Sequence, residues 1–254
     1  MKRAVSIIFG DSKGGSGDSQ TKKKKTTKKP IKKIVNESDD EGGEEGDFPF
    51  PLPNFFKQEE DELIYLNQNH LFFHTEVSEQ SVDKVKNLMR EYLNKVTKVK
   101  KTHIMGVFTP KPLYLHIYSP GGDVHAGFSL YDFIISYDKH IPVHTIIEGS
   151  AASAATMISI AGSKRYITPS SYMLIHQLST FFGGNFEQIK DEFSNCQKLM
   201  TRIKKIYSDK TTIPKKQLDD ILKHDIFWDA NECLKYGLVD EIKLIDLFND
   251  DLNL

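Results

Sequence analysis

The stretch from residue 63 to residue 242 alternates short apolar runs with longer amphipathic segments, and this alternation constrains the fold more than any other feature. Runs at residues 71–73, 113–118 and 143–147 have the length and composition of buried strands. The segments between these runs repeat apolar residues at three- and four-residue spacing, as helices do when they cover one face of a sheet. Strands that alternate with helices predict a largely parallel sheet in an α/β fold.

The second half of this region continues the pattern. We expect short strands at residues 166–168 and 172–175, and a last strand near residues 238–242. Two helix starts carry capping pairs, in which a side chain at the cap and a Glu or Gln three residues later satisfy each other's backbone N–H groups. These pairs are Asn185 with Gln188 and Asp229 with Glu232.

The first 60 residues have a different composition. Residues 22–33 hold eight lysines and residues 37–47 hold seven acidic residues, with few large apolar side chains around them. Such a stretch cannot bury enough apolar surface to offset the entropy lost on ordering. We therefore predict a disordered charged tail over residues 1–60 and a folded domain over residues 61–254.

Residues 48–56 differ from the rest of the tail, because three prolines are interleaved with aromatic side chains. This pattern is typical of an extended segment that docks on another surface. The lysine-rich block is interpreted as a solvated tail, with a nuclear address or a nucleic-acid patch as the alternative.

Charge and cysteine content narrow the class of protein. The chain of 254 residues has 34 basic and 35 acidic residues, so no overall field points to nucleic acid or membrane as a partner. No apolar run approaches the ~20 residues of a membrane span. Two cysteines make no disulfide framework, which favours a reducing compartment and a cytoplasmic location.

Two junctions between a strand and a helix are rich in glycine and other small residues. At the first, Ser119-Pro-Gly-Gly122 precedes a helix that Asp123 is expected to cap. At the second, we expect the strand to end at Gly149 and a helix to run over residues 151–161, with Ser153 in its first turn. Unpaired N–H groups at such a start are the donors that an oxyanion needs. Ser150 and Ser159 are nearby alternatives for a nucleophile.

Four motifs occur in a fixed order: Ser119-Pro-Gly-Gly122, Gly149-x-Ala-Ala-Ser153, Met173-x-Ile-His-Gln177, and His224-Asp225-x-Phe227 followed by Tyr236-Gly-Leu-Val-Asp240. Together they resemble the proteolytic subunit of Clp protease, a serine peptidase that forms barrels. The resemblance covers roughly residues 63–242. The order Ser, His, Asp along the chain also differs from the three common orders of serine hydrolases.

The resemblance implies a catalytic triad and an oxyanion hole. Ser153 becomes the nucleophile, His176 the general base, and Asp225 the group that orients and stabilises the imidazolium. The backbone N–H groups of Gly122 and Ala154 would form the oxyanion hole. The implied chemistry is peptide hydrolysis through an acyl-enzyme, without a metal or a cofactor.

Some of these assignments have rivals. Asp229 and Asp240 compete with Asp225 for the third position of the triad, although Asp229 is better explained as a helix cap and Asp240 as a local cap or pair. Three further histidines lie near the first junction or in a neighbouring strand, but no carboxylate or cysteine stands at ligand spacing from them, so we predict no metal site. These histidines are His116, His125 and His144.

The resemblance also implies an architecture and partners. The fold would be the ClpP/crotonase-type superhelix of β-β-α units, with a protruding strand–helix handle formed by residues 178–184 and the helix after them. The implied partners are unfolded or delivered polypeptides, further copies of the chain in a heptameric ring that can stack in pairs, and an AAA+ unfoldase.

The chain departs from the family at positions that concern assembly. The short axial-loop segment is not found, and Leu178 stands where a proline usually follows His-Gln. Lys223 and His224 occupy the positions of an acid–arginine pair that helps two rings stack. We therefore expect a labile double ring, favoured as pH rises and His224 loses its proton.

Three other functions compete with this interpretation. A dedicated processing protease of the same fold, such as a viral or phage head-maturation enzyme, would use the same site. A catalytically silent ring subunit is the second, and the complete Ser, His and Asp set argues against it. The third is an acyl-CoA enzyme of the crotonase class, which shares the fold and the pair of backbone amides but does not need this triad.

Overall fold

A computed structural model describes residues 63–102 and 110–244. Within these ranges the chain forms eight strands and six helices. In chain order they are β1 (Ile64–Asn67), β2 (His70–Phe73), α1 (Glu79–Thr102), β3 (Leu113–Ser119), α2 (Val124–Tyr137), β4 (Val143–Ala152), α3 (Ala154–Ser159), β5 (Lys164–Ile167), β6 (Tyr172–Leu174), α4 (Phe186–Lys210), α5 (Lys215–Ile221), β7 (Phe227–Trp228), α6 (Ala230–Lys235) and β8 (Glu241–Ile242).

The sheet is mainly parallel, as the alternation of strands and helices predicted. Its order is β1-β2-β3-β4-β5-β8, and only β1 and β7 run antiparallel to their neighbours. Strand β4 is the longest, with ten residues, and it has two successive neighbours on one side. Its first half pairs with β5, and Ser150, Ala151 and Ala152 pair with β6.

Helices cover one face of the sheet and create the main core. Alternate residues of β2, β3 and β4 point into this core, among them Leu71, Leu115 and Ile147. Helix α2 lies close to α3, because Gly127 leaves room there: a Cβ at this position would come within 3.2 Å of the Ala154 Cβ. None of the described helices is long and apolar enough to cross a membrane.

The expected second junction is partly wrong. Strand β4 continues past Gly149 to Ala152, and α3 begins only at Ala154. Pairing explains the longer strand, because the ladders to β3 and β6 satisfy backbone groups that a helix start would leave open. Ser153 therefore occupies the N-cap position of α3, without a side-chain capping hydrogen bond, and does not lie in its first turn.

Other parts of the chain also differ from the sequence predictions. Strand β8 is shorter than expected, because only Glu241 and Ile242 pair with β5, while Leu238 and Val239 pack in the core outside the strand. The short strands β1 and β7 were not predicted. The β-prone run at residues 178–184 forms neither helix nor strand, since none of the strand pairs formed by the described residues includes it. The predicted tail at residues 1–60 lies outside the described residues.

Helix α4 is anchored at only one end. Its predicted capping box is confirmed, with Asn185 and Gln188 each accepting the other's backbone N–H. Only Ile203, Ile206 and Tyr207, near its C-terminus, are buried. The Tyr207 hydroxyl forms a hydrogen bond with Thr156 of α3, while the N-terminal half of α4 exposes an apolar stripe that includes Phe186 and Phe193.

A single guanidinium ties three elements together at the far edge of the sheet. Arg165 on β5 donates to the backbone carbonyls of Lys210 and Gly237, at 2.8 Å each, and to both carboxylate oxygens of Asp240. Although burial acts to raise the pKa of Asp240, the hydrogen bonds and positive charge of Arg165 outweigh it and hold that pKa below its ordinary value. The predicted capping box of Asp229 and Glu232 at the start of α6 is also confirmed.

The Arg165→Ala substitution should lower the free energy of unfolding by roughly 2–4 kcal/mol, because it removes the hydrogen-bond donor of two carbonyls and a carboxylate at once. The neighbouring Lys164 forms a more exposed ion pair with Glu241, so Lys164→Ala should lower the free energy of unfolding much less than Arg165→Ala does. Urea denaturation of both variants at pH 7 measures the difference. Equal losses would show that the buried network does not stabilise the fold.

The same network predicts a pH dependence. Because the pKa of Asp240 is depressed in the folded chain, its contribution is present above the pKa of an unfolded aspartate and is lost as pH falls through the folded pKa. The stability difference between the native chain and Arg165→Ala should therefore shrink in acid.

Candidate active site

The first junction is a glycine turn with no space for side chains. Gly121 and Gly122 have φ angles of 93° and 146°, which side chains rarely allow. A Cβ on Gly121 would lie 2.6 Å from the Ser153 Cβ, and one on Gly122 would lie 2.2 Å from the Val77 carbonyl oxygen. The turn therefore brings its backbone directly against Ser153.

The second junction places Ser153 in a strained backbone conformation. Its φ of 53° and ψ of −124° are unusual for a residue with a side chain, and such strain is typical of functional positions. The Ser153 N–H donates to the Leu174 carbonyl of β6 at 2.9 Å. This bond fixes the serine beside the strand that leads to His176.

His176 follows β6, and Asp225 follows α5. The His176 Nδ1 lies 3.0 Å from Asp225 Oδ1, an ion-pair distance, with 13% of the imidazole side chain and 75% of the carboxylate side chain exposed. The Gln177 N–H donates to the Leu222 carbonyl at 2.7 Å, which holds the two loops together. With Nδ1 engaged, the other ring nitrogen, Nε2, is left to accept a proton.

Ser153 and His176 line the same cavity. Among the hydrogen bonds of the described residues, none joins their side chains, as is common in free enzymes whose catalytic hydrogen bonds tighten only with substrate. The remaining walls are mostly apolar and come from α2, α3, α4 and the loop after His176. They include Val124, Met157, Leu178, Ile203 and Tyr207.

Two unused backbone donors lie at the cavity that Ser153 lines. Among the described residues, neither the Gly122 N–H nor the Ala154 N–H donates to a backbone carbonyl, so both are available to a ligand. Gly122 lines the same cavity as Ser153 and Ala154. An oxygen that gains negative charge next to Ser153 could therefore accept two hydrogen bonds there.

The rival residues lie elsewhere or are occupied. Asp229 caps α6, and Asp240 pairs with Arg165. Ser159 is buried and donates to the Thr156 carbonyl, and Ser150 sits in the paired part of β4.

A polar network that was not predicted lies on the opposite side of the sheet. The His116 ring contacts His70 Nδ1 at 2.9 Å and Glu148 Oε1 at 2.9 Å. Burial acts to raise the pKa of Glu148, but His116 and two further imidazoles outweigh it and lower that pKa below its ordinary value. The signal was present in the sequence, since these side chains alternate with core residues along β2, β3 and β4.

The three histidines considered for a metal site do not form one. His116 belongs to this network, whereas His125 lies on α2. The His144 ring instead contacts the ring of Tyr114. No group of three or more potential ligands within the described ranges is arranged to hold a metal ion.

Comparisons with known sequences agree on one protein family. The sequence model of the Clp protease family matches residues 66–245. The chain is 37% identical over 134 residues to the ATP-dependent Clp protease proteolytic subunit 2 of Treponema denticola, over 52% of this chain and 66% of that protein. It is 40% identical over 136 residues to the proteolytic subunit of Streptococcus mutans, over 52% of this chain and 68% of that protein. The aligned part thus spans about two thirds of these relatives.

Solved structures agree with the fold. A ClpP1 mutant from Listeria monocytogenes superposes with a TM-score of 0.58 and 23% sequence identity, over 73% of this chain and 95% of that one. The predicted fold class is thereby confirmed. The family match sets aside the crotonase class as the family of this chain. On the strength of a sequence match that covers most of the folded part, the chain belongs to the Clp protease family.

Proposed function

We propose that this protein is a serine endopeptidase that hydrolyses unfolded or delivered polypeptides, with Ser153, His176 and Asp225 as its triad. One observation carries the proposal: Ser153 shares a cavity with His176, and the Nδ1 of His176 lies 3.0 Å from Asp225 Oδ1. The family names of the relatives support the same activity, since they are described as proteolytic subunits.

Each group has a role that follows from its position. His176 accepts the Ser153 proton while Asp225 fixes the ring through Nδ1, which leaves Nε2 as the base. The serine oxygen then attacks the peptide carbonyl, and the N–H groups of Gly122 and Ala154 stabilise the resulting oxyanion. His176 returns the proton to the leaving amine, and water later releases the acyl-enzyme by the same path.

The site itself gives little basis for sequence selectivity. The cavity walls are mainly aliphatic, and an extended peptide could bind the adjacent backbone through main-chain hydrogen bonds that every sequence provides. We propose that access restricts the substrate instead. A ring of seven copies, able to stack in pairs and to receive substrate from an AAA+ unfoldase, would enclose the site.

The surface of α4 supports assembly. Three large apolar side chains are exposed here, namely Phe181 before the helix and Phe186 and Phe193 within it. Exposed apolar side chains grouped in this way usually mark a surface that contacts another molecule. In the chain alone, Lys223 forms an ion pair with Asp220 at 2.8 Å, so part of its charge is already balanced.

The Ser153→Ala substitution should reduce hydrolysis of a short fluorogenic peptide by at least about 10³-fold, because it removes the hydroxyl proposed to attack the peptide carbonyl. Labelling by a fluorophosphonate probe should disappear as well. Ser150→Ala is the matched control and should keep near-native activity. Substantial activity in Ser153→Ala would disprove the assignment.

The Asp225→Asn substitution should lower kcat about 10²- to 10⁴-fold, because an amide does not hold the productive tautomer of His176. Asp229→Asn and Asp240→Asn remove the same charge from sites outside the cavity and should leave kcat nearly unchanged. Thermal unfolding separates stability losses from catalytic ones. If one of these two controls loses activity while Asp225→Asn keeps it, the triad is misassigned.

The chain should sediment as a ring, and the doubled form should increase as pH rises from about 6 to 8, since like charges on facing His224 imidazoles would repel. His224→Gln should form the doubled species equally at both pH values. A monomer at micromolar concentration with full peptidase activity would exclude the ring and leave the triad intact.

A further inference from the structure

The carbonyl oxygen of Ser153 accepts two hydrogen bonds from a single residue of α3. The Thr156 N–H donates to it at 3.0 Å, and the Thr156 hydroxyl donates to it at 2.6 Å. A carbonyl oxygen has two lone pairs, so both are engaged by these bonds. The peptide group that follows Ser153 is therefore held firmly from its carbonyl side.

That peptide group also carries the Ala154 N–H, one of the two donors proposed for the oxyanion hole. A peptide group is planar and trans, so its C=O and its N–H point in opposite directions and turn together. Ser153 has a φ of 53° and a ψ of −124°, a conformation that its own backbone does not favour. Contacts from outside this residue are therefore needed to fix the direction of the Ala154 N–H.

A buried tyrosine extends the contact. Tyr207 of α4 is 2% exposed, and its hydroxyl oxygen lies 2.5 Å from the Thr156 hydroxyl oxygen. The Thr156 hydroxyl has only one proton, which it gives to the Ser153 carbonyl, so the Tyr207 hydroxyl is the donor between the two side chains. Burial raises the pKa of Tyr207 above its ordinary value, so this donor keeps its proton across the neutral pH range.

We propose that Thr156 and Tyr207 are positioning residues, which aim the Ala154 N–H at the oxyanion by holding the Ser153 carbonyl. The inference rests on the proposed peptidase function and adds two residues to its machinery. Thr156 is fully buried and does not line the cavity, so it acts through Ser153 and not on a substrate. Hydrogen bonds in series polarise one another, so the Tyr207 hydroxyl strengthens the bond that Thr156 makes.

Two other buried hydroxyls in the domain provide a comparison. The Tyr137 hydroxyl donates to the Met89 carbonyl at 2.8 Å, and the Thr145 hydroxyl donates to the Ser159 carbonyl at 2.6 Å. Each of these bonds satisfies one buried hydroxyl away from the cavity residues. The threonine–tyrosine pair differs, because its two hydroxyls act in series and end on the peptide group that carries the oxyanion donor.

Steady-state kinetics on a short fluorogenic peptide tests the role of the threonine. Thr156→Val keeps the shape of the side chain without its hydroxyl and should lower kcat about 10- to 100-fold, less than or equal to the loss of a whole oxyanion donor. KM should stay within about two-fold, because the bond acts on the transition state. Thr156→Ser retains the hydroxyl and should recover most of kcat. Native kcat in Thr156→Val would overturn the proposal.

The tyrosine is tested by a double-mutant cycle. Tyr207→Phe should lower kcat about three- to ten-fold, because the bond from Thr156 to Ser153 remains but is weaker. The double variant of Tyr207→Phe with Thr156→Val should lose no more than Thr156→Val alone, since Tyr207 acts through Thr156. Additive losses would overturn the series of bonds.

Matched controls remove equally buried hydroxyls elsewhere in the domain. Tyr137→Phe and Thr145→Val each delete one hydrogen bond to a backbone carbonyl and should keep near-native kcat. Thermal unfolding of all variants measures the accompanying loss of stability. If the controls lose kcat as much as Tyr207→Phe and Thr156→Val do, a general loosening of the domain explains the effect and the proposal is wrong.

Inhibitor binding separates positioning from a change in the shape of the cavity. A peptide boronate forms an anionic tetrahedral adduct with Ser153 and resembles the transition state, whereas a product peptide binds as a ground state. In Thr156→Val the inhibition constant of the boronate should rise by the factor by which kcat/KM falls, and that of the product peptide should stay within about two-fold. Equal weakening of both ligands would contradict the positioning role.

The same assays distinguish this inference from the proposed function. Hydrolysis that survives Ser153→Ala would overturn both, because the nucleophile would lie elsewhere. Hydrolysis that is lost in Ser153→Ala but unchanged in Thr156→Val would overturn the positioning role alone and leave the triad in place.

Discussion

The pairing of β4 with three neighbouring strands determines where Ser153 and the loop that carries His176 lie. Its first half hydrogen-bonds to β3 and β5, and its last three residues continue alongside β6. Because the strand is held to its end, the chain must turn abruptly at Ser153, where it adopts a positive φ. The same ladder brings β6 next to the serine, so the loop that carries His176 starts from a fixed position.

Much of this architecture could be predicted from the sequence, because periodicity and capping are local signals. The strand–helix alternation and both capping boxes have the forms that their residues indicate. The end of β4 could not be predicted, because alanine is compatible with helix and strand, and distant partners in β3 and β6 decide between them. The two-residue strand β7 likewise depends on Met173 and Leu174 opposite it.

The candidate site, like the fold, could be predicted from the sequence only in part. The positions of Ser153, His176 and Asp225 were taken from a motif resemblance, and their roles remain a prediction. Physical reasoning alone explains why Asp229 and Asp240 are poor rivals, since each already satisfies other groups. The polar network around His116 was not predicted, because its alternating rings and imidazoles look like ordinary half-buried strand residues. Only the register of three strands reveals that they form one continuous layer.

The single anchor of α4 has a mechanical consequence. The helix has 25 residues and is about 37 Å long, yet it is buried only near its C-terminus. It therefore acts as a lever, so that a tilt of about 10° at the anchor moves the free tip by roughly 5 Å. Ile203 and Tyr207 of the anchor also form a wall of the Ser153 cavity. A load applied to the tip is thus transmitted to the wall of the cavity that contains Ser153 and His176.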